Sequence, residues 1–196
     1  VVYGAAAARP QWMQESRTFP LLTASSKAVL GFVKERRAED TGGTEAAPRK
    51  DAYAMSATLY TQDILRLATQ IPHNRRLDQP MVTAERRSPV CGSRIIVDID
   101  LDTSGQIMAF GQDVRACALG QASAALLGRD VLGQTGSSLT LVSRGLAAWL
   151  ARESEDLPDW PGLDIFTAAR DYPARHAAIW LPFEAAAAAA NRECIR

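Results

Sequence analysis

Apolar and polar positions divide the chain into a stretch without period, a stretch of strands and a stretch of helices. Residues 1–54 carry Ala-rich and polar patches, a turn-rich run at 39–50 and no sustained periodicity. One short helix is predicted at 24–37, with Ser25 or Ser26 as N-cap. Met55 opens the first periodic stretch. It is therefore expected to be the natural start, with residues 1–54 an extension or poorly ordered leader. Glu15, Glu35, Glu39 and Asp40 argue against a transit peptide. From 58 to 70, Leu59, Ile64, Leu65, Leu67 and Ala68 recur at helical spacing, with Thr61 or Ser56 as cap. Ile71-Pro72-His73-Asn74 ends that helix.

Residues 75–90 are polar, with a strand expected at 81–84. Residues 94–102 alternate in part and are β-branched, which reads as a strand. Thr103-Ser104-Gly105-Gln106 is a tight turn, and 107–114 is the antiparallel return strand. Helices are expected at 117–127, at 138–153, at 163–170 and at 174–190, the last kinked at Pro182. The helix at 138–153 places Leu139, Val142, Leu146, Trp149 and Leu150 on one face. Strands first and helices afterwards predict an α+β fold: a small three-stranded antiparallel meander with helices packed on one face. The expected organisation is one domain at 55–190 with a tail at 191–196.

Composition removes several function classes. The 196 residues carry 22 basic and 22 acidic side chains, so no charge excess points to nucleic acid. No apolar run approaches the roughly 18 residues of a membrane span. There is no phosphate-binding Gly loop, and two histidines leave little material for a Ser/His/Asp triad. Three cysteines, Cys91, Cys117 and Cys194, are too few for a disulfide framework. A reduced, cytoplasmic setting is expected, where paired cysteines more often bind metal or react.

Cys91 lies in a Pro-Val-Cys-Gly turn just before the first long strand, and Cys117 lies just before a helix of small residues. A hairpin of matched arms carries the chain away from Cys91 and back to Cys117, so one shared site is geometrically allowed. The thiolate is the form that ligates metal or attacks sulfur, and a helix start favours it. Gly92 permits a backbone turn that aims the Cys91 thiol. Either cysteine is equally well read as buried filler. Arg86, Arg87, Arg94 and Arg115 flank the pair, either simply solvated or raising the local potential toward an acidic partner. His73 is read as a solvated loop residue. Trp149, Trp160, Trp180 and Phe183 are read as packing residues.

The segments S-P-V-C-G-S, A-C-A-L-G-Q-A-S-A-A-L-L and Y-P-A-R-H-A-A-I-W-L-P-F-E-A, in that order, resemble the NifU/IscU/SufU-type iron–sulfur cluster assembly scaffolds over residues 59–190. The family's first motif is Cys-Gly-Asp, and Cys91-Gly92-Ser93 matches two of its three residues. Its second motif aligns Cys117 with the run Gln121-Ala122-Ser123-Ala124. Its third cysteine falls at Ala178, and the aspartate of its first motif falls at Ser93. Two of four usual ligand positions are therefore changed.

The resemblance implies a non-enzymatic scaffold or carrier that holds iron and sulfide through Cys91 and Cys117. The transient cluster would be of the [2Fe-2S] type. The implied partners are a cysteine desulfurase and apo-protein acceptors, with no nucleic acid and no membrane. Zinc is a further candidate, since some members bind it and stimulate a desulfurase. His176, two residues before the missing cysteine, could add an imidazole or be a surface or capping residue. Alternatively, a homodimer could share one cluster between two pairs of thiolates. Two other readings remain: a persulfide-accepting sulfur-relay protein or desulfurase activator without a cluster, and a degenerate interaction module.

Overall fold

The computed structural model describes residues 59–89 and 91–192. The expected helix at 24–37, the start at Met55 and Cys194 lie outside the described residues. The first helix, α1 (Gln62–Ala68), is shorter than the periodicity predicts. Its start is set by Thr61, whose Oγ1 accepts a hydrogen bond from the Ile64 N–H at 3.3 Å. Ile64 and Leu67 form its buried face. The chain then turns through Pro72 and His73 into an extended segment lying along the sheet.

Three strands follow: β1 (Val82–Arg87), β2 (Arg94–Leu101) and β3 (Ile107–Arg115), antiparallel and in sheet order β1-β2-β3. The expected meander is present, with β1 reaching three residues further than 81–84. The charges that masked this extension are paired, since Glu85 forms ion pairs with both Arg87 and Arg94. The register sets Ala84 opposite Val97 and Val97 opposite Gln112, with Val82, Ile99 and Phe110 in the next row. Because successive side chains alternate faces, these rows and Ile95 form the side that packs on the helices. Ile95, Val97 and Ile99 are fully buried. Each such side chain contributes about 1.5–3 kcal/mol over its exposed state.

The opposite side of the sheet holds a charge at its centre. Asp98 has no exposed side-chain surface, although strand alternation turns it away from the helices. The segment after α1 covers it. The Arg76 guanidinium grips both carboxylate oxygens, the Leu77 N–H donates at 3.1 Å and the Thr83 hydroxyl at 2.6 Å. Arg86 is also not a solvated residue. It sits on the helix-facing side of β1, 11% exposed, in an ion pair with Glu184.

Helices α2 (Ala118–Asp130), α3 (Gly136–Leu150) and α4 (Pro173–Ala190) complete the fold, with a 3₁₀ segment at Leu163–Asp171. Helix α4 packs on β1, β2, α2 and α3, so it is the element that ties sheet and helices together. This is the expected α+β architecture. Helix α3 begins two residues before position 138 because Thr135 and Ser138 form a reciprocal capping box. The four aromatic residues read as packing residues are buried, and Trp160 Nε1 donates to the Leu126 carbonyl at 3.2 Å.

The junction between α2 and α4 positions the site. Pro182 lies inside α4 and lacks the N–H that would bond the Ala178 carbonyl. That carbonyl faces Gly120 of α2. A Cβ on Gly120 would meet it at 3.0 Å and the Ala116 Cβ at 2.7 Å, so only glycine allows this approach. One turn on, Ser123 Oγ donates to the Ile179 carbonyl from a fully buried position. Asn191 caps α4 and donates to the Gly136 carbonyl and Thr140 Oγ1 of α3, fixing the far end.

Candidate thiolate site

The β2–β3 ladder brings the two cysteines to one end of the sheet. Arg94 pairs with Arg115. Cys91 lies three residues before Arg94, and Cys117 two residues after Arg115. Cys91 thus sits in the turn between β1 and β2, and Cys117 is the N-cap of α2. Both thiols are free and half-buried.

The turn around Cys91 is closely tied. The Ser88 N–H donates to the Ser93 carbonyl at 2.8 Å, and the Gly92 N–H donates to the Ser88 carbonyl at 3.0 Å. The Cys91 N–H points at Ser88 Oγ at 3.4 Å. Gly92 has φ +68°, the left-handed region that costs a side chain about 1–2 kcal/mol. Nothing lies within 4 Å of a Cβ built on Gly92, so the penalty there is purely one of backbone conformation. Gly92→Ala is accordingly expected to lower unfolding stability by about 1 kcal/mol, measured by chemical denaturation. An unchanged midpoint would contradict the positive φ.

Cys91 Sγ lies 3.0 Å from Ser93 Oγ. Burial pushes the thiol up and is the largest single influence on it. The Ser88 hydroxyl, the Ser93 hydroxyl, the Ser93 backbone N–H and the Arg175 charge together outweigh burial and hold it below its ordinary value. Ser88 and Ser93 are themselves 3% and 2% exposed. Ser93, where the sequence resemblance implies an aspartate, therefore touches the thiol directly. No metal-ligand or periodicity pattern in the sequence marks it. Cys117 is held differently, with its side chain making no capping hydrogen bond to the first turn of α2. It packs partly against the core.

Ala178 and Arg175 complete the surroundings from α4. Arg175 bears on Cys91 electrostatically. Ala178, one turn later on the same helix, is fully buried against Gly120, and Gly120 is one turn from Cys117. His176 is rotated away from Ala178 by about 200°, twice the helical step of roughly 100°. Its ring is 3% exposed and its Nε2 lies 3.0 Å from the Ala169 carbonyl, to which it donates. Burial holds it below the ordinary histidine value, so the neutral ring is favoured. Among the described residues, no three His, Cys, Asp or Glu side chains are grouped to hold one metal ion. Cys91, Cys117 and His176 are therefore not gathered as they stand.

The flanking arginines are engaged in ion pairs. Arg94 pairs with Glu85 and with Asp113, and Arg115 pairs with Asp113 at 3.8 Å. The sheet end beside the cysteines is thus a mixed-charge lattice, with Arg87 and Arg115 its most exposed members. His73 is exposed, as expected, with its ring edge-on to Phe110 at 5.9 Å. No helix among the described residues is long and apolar enough to cross a membrane.

Comparison with known proteins gives a consistent relationship. The chain is similar to the crystal structure of the N-terminal part of a nitrogen-fixing NifU-like protein from Brucella abortus, with 31% identity and a TM-score of 0.66. The match covers 70% of this chain and 96% of that one. A protein from Fervidobacterium islandicum AW-1, assigned as an iron–sulfur cluster assembly scaffold for the SUF system, shares the fold with a TM-score of 0.59 and 17% identity. That match covers 67% of this chain and 96% of that one. No family model and no curated protein matches the chain.

Proposed function

The chain belongs to the NifU-like N-terminal family, and from that premise we propose that it is a scaffold or carrier in iron–sulfur cluster assembly whose ligands are Cys91 and Cys117. The observation that carries this reading is the placement of two free, half-buried thiols at one end of the β2–β3 ladder. The cluster is cargo: iron and sulfide are gathered, held by thiolates and passed to an apo-protein. A cysteine desulfurase is the proposed sulfur source, and the cytoplasm the proposed setting. The chain would act as an assembly factor rather than an enzyme.

Among the described residues, one chain offers two cysteine ligands where a tetrahedral thiolate site needs four. Ser93 is committed to Cys91 Sγ, and Ala178 has no donor atom. Ligation by His176 would require its ring to leave the Ala169 carbonyl. Two protomers, each contributing Cys91 and Cys117, satisfy the four-thiolate requirement without moving a buried side chain. A [2Fe-2S] cluster shared in this way is the proposed cargo, and zinc on the same four thiolates is the competing occupant. Such a cluster would be exposed at a subunit junction and easily released.

The test is anaerobic reconstitution with iron, cysteine and a desulfurase, read by visible absorbance and by bound iron and sulfide. Thiolate-to-iron absorption is expected in the wild type, absent from Cys91→Ser and Cys117→Ser, with about one iron per protomer in a dimer. Wild-type protein without iron would end the scaffold reading. A second reading, sulfur relay without a cluster, is supported by one observation: Cys91 Sγ lies 3.0 Å from the buried Ser93 hydroxyl, a contact that favours a reactive thiolate. Iron absence combined with persulfide on Cys91 would favour it. The absence of both would leave an interaction module.

A further inference from the structure

The two edges of the sheet are finished differently. On the outer edge of β3 the Gln112 N–H donates to the His73 carbonyl and the Ile107 N–H to the Gln134 carbonyl, each at 2.9 Å, so loop backbone covers that edge. On β1 the Ser88 N–H donates to the Ser93 carbonyl at 2.8 Å, which makes these two a hydrogen-bonded pair. Bonded and non-bonded pairs alternate along an antiparallel ladder. In the β1–β2 register, Ala84 and Arg86 therefore bond to β2, and the N–H and C=O groups of Thr83, Glu85 and Arg87 point away from it. Among the described residues, no backbone group meets them. Arg86 Nη1 touches the Glu85 carbonyl at 3.1 Å, and that oxygen keeps a second lone pair. Strand β1 contains no proline, and its register with β2 has no bulge, so two common devices that blunt an edge are missing.

Charge is the remaining device, and here it selects rather than blocks. Arg86 is taken by Glu184, and Glu85 is shared between Arg94 and Arg87. Arg87 thus holds a divided carboxylate while its side chain is 69% exposed. Arg175, whose charge reaches Cys91, adds to the same end. Opposite charges across a strand pair stabilise it and like charges oppose it, so this edge favours an acidic strand over a basic one. Strand β1 also leads directly into the Cys91 turn. A strand laid antiparallel along it brings its own N-terminal residues beside Cys91.

We propose that the free edge of β1 docks an extended, acidic segment of the apo-protein acceptor, which adds as a fourth strand with a carboxylate opposite Arg87 and a cysteine delivered beside Cys91. The partner's identity as acceptor rests on the scaffold reading; the mode of docking rests on the ladder alone. Main-chain bonds to Thr83, Glu85 and Arg87 supply affinity for any extended chain, and Arg87 supplies the choice among chains. Pairing β1 with a second copy would set the two Cys91 turns at opposite ends of the pair, so the copy would bring no thiol to the site.

The probe is an acetylated peptide, Cys-Gly-Glu-Val-Thr-Val-Thr-Val, labelled at its C-terminus and read by fluorescence anisotropy on the reduced, metal-free full chain. Laid antiparallel, its Glu faces Arg87 and its Thr residues face Glu85 and Thr83. Two isomers of equal charge are compared. One is N-methylated at the first Thr, whose N–H faces β1, and the other at the preceding Val, whose N–H faces away. The Thr isomer is expected to bind at least about tenfold more weakly than the parent, and the Val isomer about as well as the parent. Arg87→Glu is expected to weaken the parent about threefold, and a peptide with Lys in place of its Glu restores the affinity. Amide exchange in the free chain should be fast at Thr83, Glu85 and Arg87 and slow at Ala84 and Arg86, with the first set protected when the peptide is added.

Equal affinities of the two isomers overturn the proposal, as does absence of binding by the parent peptide at about millimolar concentration. Slow exchange at Thr83, Glu85 and Arg87 in the free chain also overturns it. Protection that depends on protein concentration then assigns the edge to a second copy, and protection that does not assigns it to another segment of this chain. Failure of the scaffold reading is distinct: no iron on reconstitution while the isomers still differ removes the acceptor as partner and leaves the docking edge standing.

Discussion

Replacing Asp98 by alanine is expected to destabilise the fold by about 3 kcal/mol, among the largest single effects available outside the apolar core. The Asp98 carboxylate has no exposed surface and accepts hydrogen bonds from Arg76, the Leu77 N–H and the Thr83 hydroxyl. Its removal leaves the Leu77 N–H and the Thr83 hydroxyl without their acceptor. Arg76 is 45% exposed and can turn to water, which keeps the loss at the lower end of the range for breaking a buried pair. The pH dependence follows from the same contacts. Burial raises the Asp98 carboxyl, but Arg76, Thr83 and Leu77 outweigh it and hold the group below the ordinary aspartate range. A carboxyl lower in the folded than in the unfolded chain adds stability that is complete above the unfolded value. That stability is lost as pH falls through the folded value. Wild type should thus lose stability on acidification below the ordinary aspartate range, and Asp98→Asn should lose less over the same interval. Parallel acid slopes for the two proteins, from urea denaturation at several pH values, would show that Asp98 is not the group responsible.

Asp98 also marks where sequence reading stops. The run V-D-I-D alternates, and alternation correctly places the aspartates on the face away from the helices. It carries no information that residues 75–77 fold back over that face, because the covering segment is polar and aperiodic. Arg86 is the reverse case. A charge beside a cysteine reads as solvated, yet alternation puts it with Val82 and Ala84 on the helix side, where Glu184 meets it nearly a hundred residues later. The meander and the positions of the helices were legible because they follow from local periodicity and from matched hairpin arms. Ser93 was legible only as a lost aspartate. Its contact with Cys91 depends on a turn whose geometry is set by Gly92 and Ser88 together. The exact start of α3 was missed because the apolar period begins only at Leu139, whereas the Thr135–Ser138 capping box starts the helix earlier.

If the proposed scaffold role holds, Ala178→Cys is expected to raise the thiolates that each chain offers from two to three, and to lengthen the lifetime of a bound cluster by about tenfold or more, since each added thiolate must dissociate before release. The argument is positional. The sequence resemblance sets the family's third cysteine at Ala178. Ala178 lies one helical turn beyond Arg175, which bears on Cys91, and against Gly120, one turn beyond Cys117. The residue is fully buried, and cysteine is a small side chain that tolerates burial, so the variant should fold. Cluster transfer to an apo-ferredoxin should slow correspondingly, and holo protein should shift from dimer to monomer as the partner's thiolates become less necessary. Size-exclusion chromatography with iron analysis reads the shift, and the rate of absorbance loss under a chelator reads the lifetime. A folded Ala178→Cys variant with unchanged lifetime and unchanged dimer would place position 178 outside the site. Slow transfer with a firmly held cluster would instead identify the alanine as the feature that keeps the wild-type cargo easy to release.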